Sequence, residues 1–456
     1  MRLFFRMRST ESVSAAAEPQ PKADFLKGEP HRKHPGLTNL KTVRLPEELQ
    51  AAARSIIHRA QVPQLAERTR RLTNLLWSRK RAVEDLTLRQ KAVSLEKDLW
   101  EKAMQNTGDV DEQLLEDRIR KKVLSELRRT THRWTPLKYD EELGVVYMAA
   151  RLAGGYAAVR RALNEIKKRE PSFAPQSLLD FGSGLGTVAW RGLGVALVLG
   201  RLVEGAGVCG QLRAHERFGR ATSQRRRRES RTAHQTSLFQ TVSSRFSEGS
   251  VRSGGGSFHS VRVSELPNVD EREEAVRTLW RKTNSYLVLV ENGTKEGHQM
   301  LMEARDTLLK KPEKVLHDPR PASVFAPCPH EMTCPKLTRE PITPCNFQQR
   351  YQPVPLPGRH ECQTEKFSYL ILSRAEPAEA GPEGPDWGRL IAPVLRRSRH
   401  VHCHLCSADG QLQHAVVTAR KHSRDVYRCA RNSDWGDMLP VVQTVEEEAV
   451  VSDSER

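Results

Sequence analysis

Apolar positions recur at three- and four-residue spacing over a long N-terminal part of this chain. The pattern runs from about Pro46 to Lys168 and includes LPEELQAAARSIIHRA and YDEELGVVYMAARLAGGYAAVRRALNEIKKR. Such spacing predicts amphipathic helices, and Pro46 followed by Glu47 and Glu48 is typical of a helix N-terminus. We therefore predict a helical region over 41–170. Its Lys- and Arg-rich faces are either solvated surfaces or a phosphate-contacting surface.

The hydrophobic pattern changes after the segment PSFAP at 171–175, which we interpret as a linker. A short apolar strand, SLLDF, is followed at once by a glycine-rich turn. Further on, EREEAVRTLWRKT predicts a helix, SYLVLVENG a buried strand, and GTKEGHQMLMEARDTLLKK a loop and another helix. Strands alternating with helices favour a parallel sheet. We expect an α/β domain over 171–320.

The glycine-rich turn carries the candidate cofactor residues of this domain. Asp180, Gly182, Gly184 and Gly186 have the form D-x-G-x-G-x-G, which lets the backbone turn sharply and approach a ligand closely. A dinucleotide fingerprint requires Gly or Ala where Thr187 stands, so that interpretation fails. The pattern instead matches the first motif of class I S-adenosylmethionine methyltransferases and predicts their Rossmann-type fold. The alternative is a glycine turn that serves helix–sheet packing alone.

The segment that follows, 191–258, does not fit this fold. It holds 12 arginines, no lysine and only four acids, with pieces such as QRRRRES and VRSGGGS. A second acid is expected about 20 residues after the glycines, and Glu204 is the single candidate. The segment is either a long disordered insertion, with a basic arm for RNA as its functional form, or a replacement of the expected residues by alternative splicing or a wrong gene model. We favour the second interpretation.

Seven of the eight cysteines lie after residue 327, which in a matrix or cytosolic protein favours a metal over disulfides. Cys328, Cys334 and Cys345 are followed much later by Cys403-x-x-Cys406. Four thiolates suffice for tetrahedral zinc or a four-iron cluster, and the irregular spacing favours iron–sulfur. Buried free cysteines are the alternative. We predict a small Cys-rich metal-binding lobe over 321–440 and a disordered acidic tail over 441–456.

The net charge indicates the class of binding partner, and the N-terminal sequence indicates the cellular compartment. The 456 residues carry a net charge of +18, which favours RNA or a ribonucleoprotein partner over a merely soluble basic surface. No run of eighteen apolar residues occurs, so we expect no membrane span. Arg2, Arg6 and Arg8 alternate with apolar residues before the first acid, as in a mitochondrial transit peptide. Residues 1–40 are therefore predicted to be a transit peptide and disordered chain.

Several segments together resemble the mitochondrial family of methyltransferase-like protein 17, the small-ribosomal-subunit assembly factors. They are YDEELGVVYMAARLAGGYAAVRRALNEI, LLDFGSGLGTVAW, SELP, LWRKTNSYLVLVENGTKEGH, FAPCPHEMTCPKL and RHVHCHLCSADG. The resemblance implies a class I methyltransferase-like fold in the mitochondrial matrix, bound to the maturing small subunit and its ribosomal RNA. It also implies a four-iron, four-sulfur cluster on Cys328, Cys334, Cys345 and Cys406, with Cys403 as the substitute for Cys406.

Two functional hypotheses follow. In the first, the protein is a non-catalytic assembly factor whose fold and cluster shape a basic surface for ribosomal RNA, and DNA is not expected as a partner. In the second, it is an active S-adenosylmethionine-dependent ribosomal RNA methyltransferase. The strand pattern before Glu204 is poor, so the second acid of a cofactor site is not established, and no catalytic tetrapeptide such as N-P-P-Y is visible. Both observations favour the first hypothesis, a pseudo-enzyme. A nuclear zinc-binding protein is a third and weaker interpretation.

Overall fold

A computed structural model of the protein describes residues 25–78, 85–106, 112–130, 140–173, 177–181, 257–261, 266, 268–310, 320–356, 361–374 and 387–440. The predicted transit peptide, the glycines of the turn, most of the anomalous segment 191–258 and the acidic tail lie outside these residues. No helix in the described ranges combines the length and the apolar character needed to cross a membrane.

The described residues of the N-terminal region contain five helices, where the 3.6-residue pattern predicts them. They are α1 (Glu47–Ala60), α2 (Leu65–Ser78), α3 (Asp85–Asn106), α4 (Glu112–Thr130) and α5 (Glu141–Arg169). Asp140 caps α5 by accepting a hydrogen bond from the Leu143 amide at 2.7 Å. Helices α1 and α2 pack on α5, whose own side chains are buried along most of its length. Helix α5 therefore connects the outer helices to the rest of the molecule.

A six-stranded sheet lies at the centre of the protein. Its strands are β1 (Ser177–Phe181), β2 (Ser257–Val261), β3 (Tyr286–Asn292), β4 (Ser323–Ala326), β5 (Phe347–Tyr351) and β6 (Gln363–Ser373). The order is β1-β2-β3-β6-β4, with β5 paired to β6. Strands β1, β2 and β3 are parallel neighbours, whereas β6 is antiparallel to β3, β4 and β5. The prediction of an α/β fold is confirmed, with an antiparallel part that the sequence pattern did not predict.

Helices cover both faces of this sheet. On one face Leu287 and Leu289 of β3 pack against α6 (Val269–Lys282) and α7 (Lys295–Leu309). On the other face Tyr286, Val288 and Val290 pack against α5. Alternate residues of one strand therefore enter two separate apolar cores, which is why SYLVLVENG is apolar without interruption.

A second sheet of five antiparallel strands follows. It consists of β7 (Trp387–Leu390), β8 (Leu395–Arg396), β9 (Val401–Cys406), β10 (Leu412–Val417) and β11 (Met438–Pro440), in the order β10-β9-β7-β11 with β8 paired to β9. Helix α9 (Arg424–Asn432) covers one face, and Val426, Cys429 and Ala430 of that helix share its core with Cys403 and Leu405. A short helix, α8 (Pro335–Thr338), lies between β4 and β5.

The range 321–440, which we predicted to be one small lobe, is divided between the two sheets. The run FSYLILS, which falls within that predicted range, is the C-terminal part of β6 and lies between β3 and β4 in the large sheet. Residues Leu370, Ile371 and Leu372 of β6 are fully buried. A continuous apolar run of this kind belongs to a strand covered on both faces, whereas a small lobe leaves one face open.

Residues 25–46 are ordered, although 1–40 were predicted to be disordered. They pack across the second sheet and contain a 3-10 helix at His31–Lys33. The Thr38 amide donates to Asp437 Oδ1 at 2.7 Å, and His34 Nε2 lies 2.9 Å from Ser433 Oγ. Further along, Val43 forms an isolated parallel β-bridge with Tyr351, the last residue of β5. The segment is polar because its polar groups are paired with partners almost 400 residues later in the chain.

Candidate metal centre

Four cysteines from four different places in the chain line one pocket. Cys328 follows β4, Cys334 precedes α8, Cys345 lies just before β5, and Cys406 is the last residue of β9. The volume not occupied by protein atoms, counting the pocket and the open solvent at its mouth, is about 320 Å³. Because Cys406 belongs to the second sheet and the other three to the connections of the first, the pocket lies where the two sheets meet.

Three prolines form part of the pocket wall. Pro327, Pro329 and Pro335 stand beside Cys328 and Cys334 and also line the pocket. A proline ring fixes its own φ angle and restricts the residue before it, so the cysteine-bearing loops have few backbone conformations to choose from. The Pro-flanked CPH and CP motifs of the sequence thereby supply a pre-shaped wall.

Cys334 and Cys406 are buried and Cys328 and Cys345 are half-buried, and the protonation of the four thiols follows from their removal from solvent. Burial, together with the charge of neighbouring cysteines, raises the pKa of Cys328 to about 11 and that of Cys406 to about 12. Burial also raises the pKa of Cys334, and that of Cys345 well above its ordinary value. Metal ligation requires thiolates. The pocket alone therefore favours neutral thiols, and a bound cation would be needed to stabilise the deprotonated set.

All seven cysteines in the described part of the chain are free, so no disulfide competes for the four thiols there. Cys403, the substitute ligand named above, is fully buried in the core of the second sheet beside Leu390 and Leu405, away from the residues that line the pocket. In a strand, Cys403 and Cys406 are an odd number of residues apart and point to opposite faces. The geometry thus brings Cys406, and not Cys403, to the other three cysteines.

Two buried histidines that are not among the four predicted ligands contact cysteine sulfurs. His330 Nε2 lies 3.3 Å from Cys406 Sγ, and His298 Nε2 lies 3.7 Å from Cys334 Sγ. Burial lowers the pKa of both imidazoles, to about 4 for His298. Among the described residues the Nδ1 atoms of both rings have no hydrogen-bond partner. Sequence reasoning missed these two histidines. In the tautomer that carries its proton on Nε2, each ring would donate to the neighbouring sulfur, and such donors adjust the charge of a thiolate-bound metal.

The side chains do not close around a single ion. No group of three or more His, Cys, Asp or Glu side chains within the described ranges is arranged to hold a metal ion. The described residues of the predicted metal-binding lobe therefore do not show an assembled metal site. A four-iron cluster is larger than one ion, and each of its four cysteines binds a different iron. Four thiols in one pocket are the ligand number both of such a cluster and of tetrahedral zinc.

Arg389 connects the pocket wall to a buried network of charges. Its Nε atom donates to the carbonyl oxygen of Pro327 at 2.9 Å, next to Cys328. Its Nη1 and Nη2 atoms donate to the two carboxylate oxygens of Glu165 at 2.9 and 3.2 Å. A bidentate pair of this kind is both strong and geometrically specific. The pocket is therefore tied to helix α5 through one guanidinium group.

Glu165 is the centre of that network. Its carboxylate also accepts hydrogen bonds from Arg161 Nη1 at 2.9 Å and from the Tyr369 hydroxyl at 2.8 Å. Burial alone would raise the pKa of Glu165, but the charges of Arg389, Arg161 and Arg169 outweigh it and lower that pKa far below its ordinary value. Arg161 in turn contacts Thr38 and the carbonyl oxygen of Gly436. One carboxylate thus connects α5, β6, β7 and the N-terminal segment.

The glycine-loop residues are only partly described. Asp180 is the fourth residue of β1, and its Cα pairs in register with Ser260 of β2. Gly182, Gly184 and Gly186 lie outside the described residues, as does Glu204. The carboxyl ends of β1, β2 and β3 meet at one edge of the sheet, which is where ligands bind in open α/β folds. The S-adenosylmethionine site stays a prediction.

Comparison with known proteins gives a consistent result. A family described as "Mitochondrial small ribosomal subunit Rsm22" matches residues 141–440. The human protein "Ribosome assembly protein METTL17, mitochondrial" is 43% identical over 94% of this chain and 90% of its own length. The fission yeast "Rsm22-cox11 tandem protein 2, mitochondrial" is 28% identical over 40% of this chain and 28% of its own. The budding yeast "Ribosome assembly protein RSM22, mitochondrial" is 22% identical over 34% of this chain and 38% of its own.

Proposed function

This chain belongs to the Rsm22 family of mitochondrial small-ribosomal-subunit proteins, and from that we propose that it is an assembly factor of the small ribosomal subunit in the mitochondrial matrix. In this proposal it binds ribosomal RNA, carries an iron–sulfur cluster and thereby supports mitochondrial translation. The single observation that supports the cluster is the pocket shared by Cys328, Cys334, Cys345 and Cys406.

Two features of the pocket support a resident cluster. Four cysteines are the ligand number of a four-iron, four-sulfur cluster. Lys336 and Arg389 stand in the pocket wall, and their positive charges offset part of the negative charge of a thiolate-bound cluster. Zinc is the alternative occupant.

The cluster has a structural role in this proposal. Three ligands lie in the connections between β4 and β5, and the fourth ends β9 of the second sheet. Binding all four would fasten these connections to the second sheet, and the free energy of metal binding would become free energy of folding. Cluster loss would therefore disturb the surface that both sheets form together.

The RNA-binding part of the proposal rests on charge. Residues 387–440 contain nine Lys and Arg against four Asp, and five histidines. Arg397, Arg399, Arg420 and Lys421 are exposed in or beside the second sheet. Exposed cations of this kind bind phosphate without sequence preference. We expect affinity for ribosomal RNA to fall steeply with salt concentration.

The test of the cluster uses the double variant Cys328→Ser with Cys334→Ser, and Cys362→Ser as its control, because Cys362 is exposed and outside the pocket. Protein purified without oxygen is examined for visible absorption and for iron and sulfide content. Association with the mitochondrial small subunit is measured by sedimentation. The wild type and the control should contain the cluster and sediment with the subunit, and the double variant should lose both properties.

Two outcomes would count against this proposal. A colourless wild-type protein that contains zinc and no iron would replace the cluster by zinc. A double variant that loses its iron but still sediments with the subunit would separate the cluster from ribosome association, and its proposed role would be dropped.

Methyl transfer is the second candidate function, and the strand arrangement is what favours it. Strands β1, β2 and β3 are parallel, so Asp180 at the end of β1 and Asn292 at the end of β3 lie on the same edge of the sheet. This edge is where a class I methyltransferase would hold S-adenosylmethionine. Titration calorimetry of the purified protein with S-adenosylmethionine decides the question: saturable heat that Asp180→Ala removes supports it, and no heat at millimolar cofactor ends it.

A further inference from the structure

Four histidines form a row on the exposed side of the second sheet; we call it the histidine face, and it consists of His400, His402, His404 and His414. In β9, His402 and His404 alternate with residues that are buried in the core, namely Val401, Cys403 and Leu405. His414 stands directly opposite His404 on β10. The three strand histidines therefore project from one face of a β-hairpin, away from the core.

The rings of His402, His404 and His414 lie nearly parallel to one another, whereas the His400 ring stands at 77° to that of His402, with centroids 4.9 Å apart. His404 and His414 have ring centroids 4.5 Å apart and planes within 13°. His402 and His414 have centroids 5.2 Å apart and planes within 16°, and their Nδ1 and Nε2 atoms are 3.0 Å apart. His414 is thus the central ring and contacts both others. Exposed imidazole rings bury little apolar surface, so this arrangement contributes little to a hydrophobic core.

Cations flank these rings. Arg397 and Arg399 are exposed in the turn between β8 and β9, next to His400. Lys336 lines the cysteine pocket together with Cys406 and Leu412, which lie two residues from His404 and His414 on the same strands, so the face adjoins the candidate metal centre. The combination is one of flat rings flanked by cations.

We propose that the histidine face binds single-stranded RNA, with unpaired bases stacking on the imidazole rings and the flanking cations contacting phosphates. The inference rests on the proposed function, because it names the place where that RNA would be held. Histidine is among the side chains on which unstacked bases pack, and positive charge beside such rings follows the backbone. Bases in a duplex are already paired and stacked, so a duplex does not fit this surface.

The geometry argues against a metal ion at the same place. Three ligands at least are expected of a protein site for zinc, and no such group converges within the part of the chain that the structure describes. The close contact between His402 and His414 is instead a hydrogen bond that keeps the two rings side by side. The stack is therefore preformed before any ligand arrives.

The test exchanges the central ring of the stack in the full-length protein with its cluster intact. His414→Ala removes the ring, whereas His414→Phe keeps a flat ring and removes the nitrogens. Val416→Ala is the matched control, because Val416 lies two residues further along the same strand, on the same face, and is 41% exposed. Binding is measured by fluorescence anisotropy with a labelled poly-uridine strand of about ten nucleotides, a length that one such surface can span, and with an RNA duplex of the same length.

We expect His414→Ala to weaken binding of the single strand about tenfold, the effect of losing one stacked base. His414→Phe keeps a flat ring opposite His404 but loses the hydrogen bond to His402, so it should retain most of the binding that His414→Ala loses. Val416→Ala should bind like the wild type, and binding of the duplex should not change in any variant. Arg397→Ala should weaken single-strand binding and reduce its dependence on salt. The visible absorption of each variant shows that the cluster is still present.

Three results would overturn the inference. Unchanged binding by His414→Ala removes the face as a site, and if the protein still associates with the small subunit, the proposed function stands without it. A His414→Phe protein as weak as His414→Ala shows that the nitrogens act, through a metal or a hydrogen bond, and not the stack. A wild-type protein that binds neither RNA ends both this inference and the RNA-binding part of the proposed function.

Discussion

The core of the six-stranded sheet and the junction between the two sheets are equally buried and are built in opposite ways. In the core, neighbouring residues of β3 and β6 are fully buried and apolar: Leu287, Val288, Leu289, Leu370, Ile371 and Leu372. The junction, which we define as Thr38, Arg161, Glu165, Arg389 and Asp437, is also at most 2% exposed. It consists of charges and their hydrogen bonds.

The difference shows what each region requires of its side chains. Apolar burial is non-directional and depends on shape and volume. A buried charge is stable only while its partners remain in place. The core should therefore tolerate a change of side chain that preserves volume, and the junction should not tolerate even a change that preserves shape.

The sharpest test is Glu165→Gln, which keeps the shape of the side chain and removes its charge. Arg161 and Arg389 would then be buried without their counter-ion. We expect a loss of about 3–5 kcal/mol in the free energy of unfolding, measured by chemical denaturation. Glu67→Gln is the control, since Glu67 pairs with Arg70 and Arg71 on the exposed face of α2; it should leave the denaturation midpoint in place. Equal behaviour of the two variants would contradict the comparison.

A second test uses pH and the buried His34. Ser433 donates its hydroxyl proton to the Cys429 carbonyl, so His34 Nε2 donates to Ser433, and His34 Nδ1 has no partner in the described residues. Burial lowers the pKa of His34 to about 4. Its contribution is complete above about pH 6.5, the unfolded pKa, and is lost as pH falls towards 4, at up to about 1.4 kcal/mol per pH unit.

This pH dependence is measured as a difference between two proteins. Unfolding free energies of the wild type and of His34→Gln are compared from pH 7 to pH 4, so that titrations common to both cancel. The wild type should lose more stability than the variant over that window. Parallel curves would mean that His34 can accept a proton where it lies, and the junction would be more open than the structure indicates.

The third test is Asp437→Asn. The Asp437 carboxylate accepts from the amides of Thr38 at 2.7 Å, Asn39 at 2.9 Å and Asp434 at 2.8 Å. An amide side chain has only one acceptor oxygen, so a buried amide would lose its partner. We expect a loss of about 1–3 kcal/mol and faster proteolysis within residues 25–45 than in the rest of the chain. Uniform proteolysis would show that this carboxylate does not fasten the N-terminal segment.

The smallest effect is expected for Leu289→Met in the sheet core. Leu289 is fully buried between β6 and the helices α6 and α7. The exchange conserves volume and hydrophobicity, so it should cost less than about 1.5 kcal/mol by the same denaturation measurement. A cost as large as that of Glu165→Gln would show that the core is as exacting as the junction.

The sequence predicted the core and the cysteines better than the junction. The apolar run in β3 and the 3.6-residue spacing of α5 are local patterns, and local patterns can be read without knowing the partners. The clustering of cysteines after residue 327 likewise pointed to a metal, whereas the set of four residues that line one pocket was implied by the resemblance to the family of methyltransferase-like protein 17. The assignment of β6 to a small lobe differed from the structure because periodicity does not say which strands pair.

The junction could not be predicted in the same way. Arg161, Glu165 and Arg169 occur in a helix rich in charge, where the sequence pattern indicates solvated faces. Arg389, the partner of Glu165, lies 224 residues further along the chain, and nothing in the spacing connects the two. His34 and Thr38 belong to a polar segment that composition assigns to disorder. A buried charge network is a property of the tertiary fold, and single-sequence reasoning finds it only after its partners are known.

The contact between residues 25–46 and residues 433–438 also has a consequence for the order of folding. Thr38 and Arg161 meet Gly436 and Asp437 only after almost the whole chain has left the ribosome or the import channel. Contacts of such long sequence separation form late and slowly. Until then, the segment that carries His34 lacks its hydrogen-bond partners. A chain that ends before Ser433 could therefore never close the junction, however well its central sheet had formed.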